Sequence, residues 1–494
     1  MSSPSIVLTC VLCGAVVGCG DPVAERGDSA DVREEPAAKP EFGRSDDSES
    51  ERAKQLAAVS AVGRVHGFEC GRLYLRRRVP ADENGFYYLS SSTDLLSAFG
   101  KIVVTSQLNN AVIDEEWDKP TLAGLYKQHE QELRRAAQYL LDHSFQVPSD
   151  VLTEMVGFPE RSPFAIEQLE RLASILCLAA IVTAEAGNVD ESLERLCDAI
   201  ELGRRLQSAE GLMSVWIIGL MIENMACRAA LSVVRNSLDQ TSTLNQQTVK
   251  RVWSLVERDT RLFLERSLRV ELARRLWLIH RARSESDDVR KRMLRQLAGW
   301  SERAELSAGW DAAPTFDSEL TERLVVEAFG YCLTMVDRHR QNWRQEALFE
   351  LTSNGKSGNE TGEHIVAQVI LLMSDDVLRR DVSFCVLSVG VLLGMHEYCR
   401  LHGELPDSLS DLREAYGFVR EEDLVDPFDG KPLRYSKESR MLYSVGEDFN
   451  EREILDDLSH PQGDGDESLT VEIPWGERRS GPPGERRSGG QGRE

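Results

Sequence analysis

The chain has 494 residues, 41% hydrophobic and 28% charged, the balance of a globular protein rather than of a disordered or collagen-like one. That length supports two or three cores. A formal net charge of −24 argues against a nucleic-acid partner, because a surface of that sign repels phosphate.

The chain opens on an apolar run, Ile6 to Val17, followed by Gly18 and Cys19. About 12 residues of this kind are too few to cross a bilayer as a helix and fit the core of an export signal. Val16-Val17-Gly18-Cys19 reads as a bacterial lipobox. Residues 1–19 are then a signal peptide with its lipobox, cleaved before Cys19, which is lipidated and becomes the first residue of the mature protein. Met1 to Ser5 depart from the pattern, for they lack the positive charge that such signals carry. An acyl chain holds a protein at a membrane without a spanning helix. The expectation is an exported lipoprotein facing the periplasm or the outside. Residues 20–50 are acidic, poor in aliphatics and scattered with Pro and Gly. They bury too little apolar surface to offset their ordering entropy and read as a disordered tether.

Residues 51–352 read as a helical body. Leu122, Leu125, Leu133, Ala137, Leu140 and Leu141 recur at helical spacing. Two helices then flank Gly187-Asn188, the first ending near Ala186 and the second starting near Asp190. The stretch AGNVDESLERLCDAIELGRRL resembles the turn and second helix of a tetratricopeptide-like repeat, in a single copy without the Trp-Leu-Gly signature of the first helix. Cys177 and Cys197 lie at similar heights on this hairpin. They bridge if they face each other and are buried free thiols if they do not. The other cysteines after Cys19 are scattered, with no disulfide framework and no zinc spacing. Residues 211–234 are apolar nearly all round and read as the central core helix. A long helix, with an interruption allowed, is expected from about Asn245 to Ala282. Another is expected from Asp317 to Leu351, with Leu320, Leu324, Ala328, Cys332, Met335, His339 and Trp343 on one stripe.

Residues 261–303 hold twelve Lys and Arg against six Asp and Glu. That is either an anion-binding face or an exposed surface pairing with acids elsewhere. Ser353 to Gly362 read as a flexible loop between domains, and the Asn359-Glu360-Thr361 glycosylation pattern in it as a chance match.

From Val382 the pattern changes. A long apolar helix ends in MHEYCRLHGELPDSLSDL, and a turn and two strands follow in DPFDGKPLRYSKESRMLYSV. Pro406 begins a short helix capped by Asp407 or Ser408. A hairpin alone is marginal in water, so it needs the helix of Val382 to Cys399 as its apolar support. The order Gly403, Pro406, Ser408, Leu409, Leu412, then Asp426, Pro427, Phe428, Gly430, Pro432, Tyr435, then Tyr443, Ser444, Gly446, Asp448, then Asp456-Asp457 resembles the globular end of type II secretion major pseudopilins and related pilin-like proteins. Similar tails occur on exported proteins of planctomycete-type bacteria. The resemblance covers about 75 to 95 residues. It implies calcium bound near Asp448, Asp456 and Asp457, in the last acidic loop. That loop is longer here than in the family, and a solvated acidic loop is the alternative. The family's N-terminal membrane helix has no counterpart, so the resemblance implies a docking or structural cap rather than filament assembly. Residues 363–475 form this unit, and residues 476–494, with GERRSG repeated, read as a disordered tail.

The expected fold class is mainly α: a multi-helix body of helical hairpins, repeat-like in its one clear unit, with a small C-terminal α+β cap of a helix and short antiparallel strands. Two functions are weighed. One is a non-enzymatic scaffold at the cell envelope, held by a lipid anchor and meeting a protein partner. The other is an envelope enzyme with an active site in the helical body. No HExxH, GxSxG or P-loop is present. His396 and Cys399, at i and i+3, are the only pair suggesting nucleophilic chemistry. On an apolar helix they read as packed side chains.

Overall fold

A computed structural model describes residues 79–91, 119–147, 164–209, 213–238, 242–256, 260–283, 285–297, 316–335, 359–372, 374–417, 419–446 and 470–475. These residues are mainly helical, with one small antiparallel sheet near the end.

Helix α1 (Gly85–Ser91) is clipped to the end of α2 (Lys119–Asp142). The buried Asn84 side chain accepts from the Phe86 and Gln146 N–H groups and donates to the Gln146 carbonyl. Leu133, Ala137, Leu140 and Leu141 of α2 face the core, as their spacing requires. α3 (Phe164–Glu185) and α4 (Val189–Gln207) form the expected hairpin. Gly187 turns the chain with φ +90°, and its N–H donates to Ala184 O at 2.9 Å. Asp190 and Glu191 sit in the first turn of α4, where the helix dipole favours acids, and Arg204 and Arg205 in the last. α2 is fastened to the hairpin by an alternating square of charges. Arg195 donates to Glu130 at 3.0 Å and to Glu191 at 2.8 Å, and Arg134 pairs with both acids. The Arg195 guanidinium also lies 4.6 Å over the Tyr126 ring.

α5 (Met213–Ser237) is the central helix and packs on α3, on α4 and on two later helices. α4 and α5 cross where Gly203 meets Gly219. A Cβ on Gly203 would lie 2.6 Å from the Gly219 carbonyl oxygen and 2.9 Å from the Glu223 nitrogen. The distance between packed helices depends on the side chains at the contact, and here the two facing glycines have none. Beside the crossing, buried Glu223 accepts from Arg204 Nε at 2.7 Å and from Gln207 Nε2 at 2.6 Å. Arg204 Nη1 donates to Leu255 O at 2.7 Å, satisfying a carbonyl in the last turn of α6 (Gln246–Val256).

The helix expected over 245–282 is interrupted. α6 ends at Val256, and α7 (Arg261–Ala282) starts after Thr260, whose carbonyl accepts from Phe263 N. Glu271, buried in α7, accepts from Arg274 at 2.7 Å and from Arg275 at 3.0 Å. Arg275 Nη1 also donates to Leu297 O at 3.1 Å, so α8 (Asp287–Leu297) folds back along α7.

α9 (Ser318–Met335) and α10 (Glu360–Leu372) begin side by side and run parallel. Asp317 Oδ1 accepts from the Glu319 and Leu320 N–H groups, and Asn359 Oδ1 accepts from Asp317 N. Asn359 Nδ2 donates to Thr321 Oγ1 at 2.9 Å. Within the loop expected over 353–362, Asn359 is buried and helix starts at Glu360, while residues 353–358 lie outside the described residues. α9 buries Val325, Ala328, Phe329 and Cys332, with Leu320 and Leu324 at the edge of that face. His339 and Trp343 lie outside the described residues.

α11 (Ser374–His402) packs on both α5 and α6 and is the buried core helix expected over 382–399. α5 and Asp376–His402 of α11 are both long and apolar enough to cross a bilayer by length and composition. In this fold both are mostly buried against protein, and each carries buried charge: Glu223 on α5, and Asp376 with Arg379 and Arg380 on α11. Gly403, with φ +77°, ends α11 and donates to Cys399 O at 2.7 Å.

The cap follows. Ser408 N donates to Asp411 Oδ2 at 2.8 Å, which starts a tight turn over Leu409–Asp411 and then α12 (Leu412–Ala415). Asp407, the other capping candidate, instead accepts from Lys437 Nζ at 2.6 Å. β1 (Arg434–Ser436) pairs antiparallel with β2 (Met441–Tyr443), Tyr435 opposite Leu442. A third strand that the pattern did not announce, β3 (Thr470–Glu472), pairs with the other edge of β2. The cap rests on α11 through Leu412 against Gly394 and through Arg380 Nη1, which donates to Phe428 O at 3.0 Å. Its side chains join the same hydrophobic core as the helices.

Candidate functional site

The motif residues of the terminal module converge on Asp426, which is 0% exposed. Its Oδ1 accepts from Phe428 N and from Ser444 Oγ, both at 2.8 Å. Its Oδ2 accepts from Val445 N at 3.1 Å and from Arg434 Nη1 at 2.9 Å. Its own N–H donates to Lys431 O at 2.8 Å, and its carbonyl accepts from Gly430 N at 2.9 Å. Gly430 at φ +70° and Gly446 at φ +66° supply the left-handed corners that close the turn around it. Arg434 also forks onto Asp429 at 2.7 Å. Burial opposes the charge on Asp429, but Arg434 and the Lys431 N–H outweigh it and hold the carboxyl below its usual range. A carboxylate offers about four lone-pair sites, and Asp426 has filled them with the turn, β1 and the residues after β2. Its chemistry is to lock the module, with no oxygen left for a substrate. Tyr435 completes the lock by donating from Oη to Pro406 O at 3.0 Å.

A second junction ties the module to the helical body. Trp475, buried just after β3, donates from Nε1 to Leu238 O at 3.3 Å, at the end of α5. Its ring meets His396 edge to face, with centroids 5.3 Å apart at 62°. His396 is therefore a packing partner. Burial pushes the Cys399 thiol up to about 11, far from a thiolate at neutral pH. The pair is not poised for nucleophilic chemistry.

The bridge considered between Cys177 and Cys197 is not formed, and both are buried free thiols. Their surroundings differ. Cys177 is among the groups acting on Cys227 of α5, whereas Cys197 feels Arg251 of α6. Burial raises Cys177 to about 12. At least six of the twelve cations of the basic stretch pair with described acids: Arg269 with Glu265, Arg274 and Arg275 with Glu271, Arg281 with Glu285, Arg283 with Glu322 and Arg290 with Asp287. Cys19, Asp448, Asp456 and Asp457 lie outside the described residues. Among the described residues no group of three or more His, Cys, Asp or Glu side chains is placed to hold a metal ion.

The densest ionic cluster left is between α4 and α6, where Arg251 donates to Glu194 and to Asp198, each at 2.5 Å, with Glu201 at 3.7 Å. Burial first, with Glu201 and Glu194 adding, raises the Asp198 carboxyl despite Arg251. Sequence reasoning missed Trp475, Arg434 and the Gly203–Gly219 crossing. The alternation Val471, Ile473, Trp475 was the available signal for the first. Compared with protein-family models, curated proteins and solved structures, the chain matches none.

Proposed function

We propose that this protein is an exported lipoprotein, anchored through an acylated Cys19, that serves as a non-catalytic interaction scaffold at the cell envelope with its pseudopilin-like cap as the docking element. The supporting observation is the double fastening of the cap to the body, by Arg380 to Phe428 and by Trp475 to Leu238, which holds the cap's outer face in place for a partner. The buried charges are matched to one another and to helix ends, as in a structural framework.

The test is crosslinking pulldown from membranes, with mass spectrometry of the mature N-terminus. A truncation at Asp381 would remove most of α11 from the core. The better comparison is the full chain against Lys437→Glu with Glu438→Lys on the hairpin turn. Acylated Cys19, and partners lost only in the double variant, are expected. An unmodified N-terminus in the cytoplasm overturns the anchor, and an unchanged partner set overturns docking through the hairpin turn.

A further inference from the structure

We propose that the groove holding Thr470–Trp475 is a strand-binding site that a second copy of this chain can fill with its own Thr470–Trp475, giving a strand-exchanged dimer. The proposal specifies a partner for the cap and does not depend on export or acylation.

The groove has the two parts that extended-peptide recognition needs: a strand edge for main-chain bonds and pockets for alternate side chains. The edge is β2, with Leu442 opposite Val471 and Tyr443 opposite Thr470, continued by Ile473 N donating to Arg440 O at 2.9 Å. The pockets take Val471, Ile473 and Trp475, all buried, while Glu472 and Pro474 between them are exposed. The last pocket is built by the body: Leu238 O receives the indole N–H and His396 packs on the ring. Outside the groove, Glu472 meets Arg235 only across an exposed 3.4 Å pair. The segment is thus a short strand whose recognition groups all point into one site.

Residues 447–469, 23 residues, join the occupant to Gly446, three residues past the end of β2. A chain of that length can span at most about 80 Å, enough to reach the same groove on a neighbouring molecule. A second copy supplies the matching Val-x-Ile-x-Trp pattern by identity, and exchange of an identical element adds no new contact that must be evolved. Intramolecular docking enjoys an effective concentration of order mM for a short linker. Exchange should therefore emerge at high concentration or where copies are crowded.

The experiment uses the full chain without acylation. Met441→Cys with Glu472→Cys places a thiol pair across the β2–β3 register, where these two residues are partners. The protein is held at about 10 μM and about 1 mM, warmed to the foot of its unfolding transition, cooled, oxidised and run without reductant. Covalent dimer is expected to rise at least about tenfold between the two concentrations, as mass action requires. It should depend on both cysteines, and it should fall when a synthetic peptide of residues 468–476 is added in excess. Only intramolecular product at 1 mM overturns the proposal, and so does a dimer share that the peptide leaves unchanged. Trp475→Ala in the same background should remove the dimer, with far-UV circular dichroism showing that the helices persist. Equal dimer in that variant also overturns it. Failure here leaves the envelope reading intact, because partner capture through the hairpin turn is measured separately.

Discussion

Gly203→Ala should destabilise the protein while Gly124→Ala stabilises it, although both replace a helical glycine with the best helix former. Each gains about 1 kcal/mol of backbone propensity. At Gly124, in α2, a new Cβ meets nothing within 4 Å, so the gain stands. At Gly203 the new Cβ lies 2.6 Å from the Gly219 carbonyl oxygen and 2.9 Å from the Glu223 nitrogen. Ordinary contact begins near 3.4 Å, so α4 and α5 must part by about 0.8 Å. Overpacking of this kind costs about 1–3 kcal/mol. The same separation stretches the bonds that Glu223 receives from Arg204 and Gln207, and weakening bonds to a buried charge costs about 1.5–3 kcal/mol more. The net loss is about 1.5–5 kcal/mol after the propensity gain. Urea unfolding followed by far-UV circular dichroism reads it as a midpoint lowered by about 1 M, with the slope unchanged. Gly219→Ala should cost as much, and the double variant less than the sum, because one separation relieves both clashes. If Gly203→Ala is as stable as Gly124→Ala, the two backbones do not touch and the reasoning fails.

Asp426→Ala removes the acceptor of four bonds, one of them from Arg434, a loss of about 3–5 kcal/mol for a broken buried pair; hydrogen exchange should rise across 428–446 and stay unchanged in α3 and α4. Glu271 is held below the ordinary carboxylate range because Arg274 and Arg275 outweigh the opposing burial. Its stabilisation is therefore present above about pH 4.3, the unfolded value, and is lost as pH falls through the lower folded value. Glu271→Gln should be less stable than the parent at pH 7, and the gap should close as pH is lowered from about 5 to 3 in urea titrations. Cys177 and Cys332 are buried, with thiols pushed up to about 12, so the native protein should not label there with a thiol reagent at pH 8, and both should label at once in urea.

Legibility in the sequence followed the range of each interaction. The α3–α4 hairpin was readable because Gly187 and the apolar spacing are local. The cap was readable as far as β2, since Asp426, Gly430, Tyr435 and Ser444 crowd into one short stretch. β3 was not, because the alternation of Val471, Ile473 and Trp475 is too short to mark a strand by itself and its partners lie 27 to 31 positions upstream. Bridge or free thiols had to stay open for Cys177 and Cys197, because equal height along two helices fixes rise but not rotation; the structure has free thiols. The start of α10 was hidden because Asn359 looks like a loop residue until Asp317 and Thr321 arrive from 38 to 42 positions away. The Gly203–Gly219 crossing was invisible for the same reason, since neither glycine breaks the apolar pattern of its own helix.

α11 has a consequence for any attempt to take this molecule apart. One of its sides completes the body against α5 and α6, and another is the floor on which the cap is laid. Neither half can be transplanted as an autonomous cassette, because whichever inherits the helix leaves the other with an open seam. A recombination breakpoint survives here only if it leaves residues 374–475 together with Leu238, so this tail should travel between proteins with its helical host and not by itself.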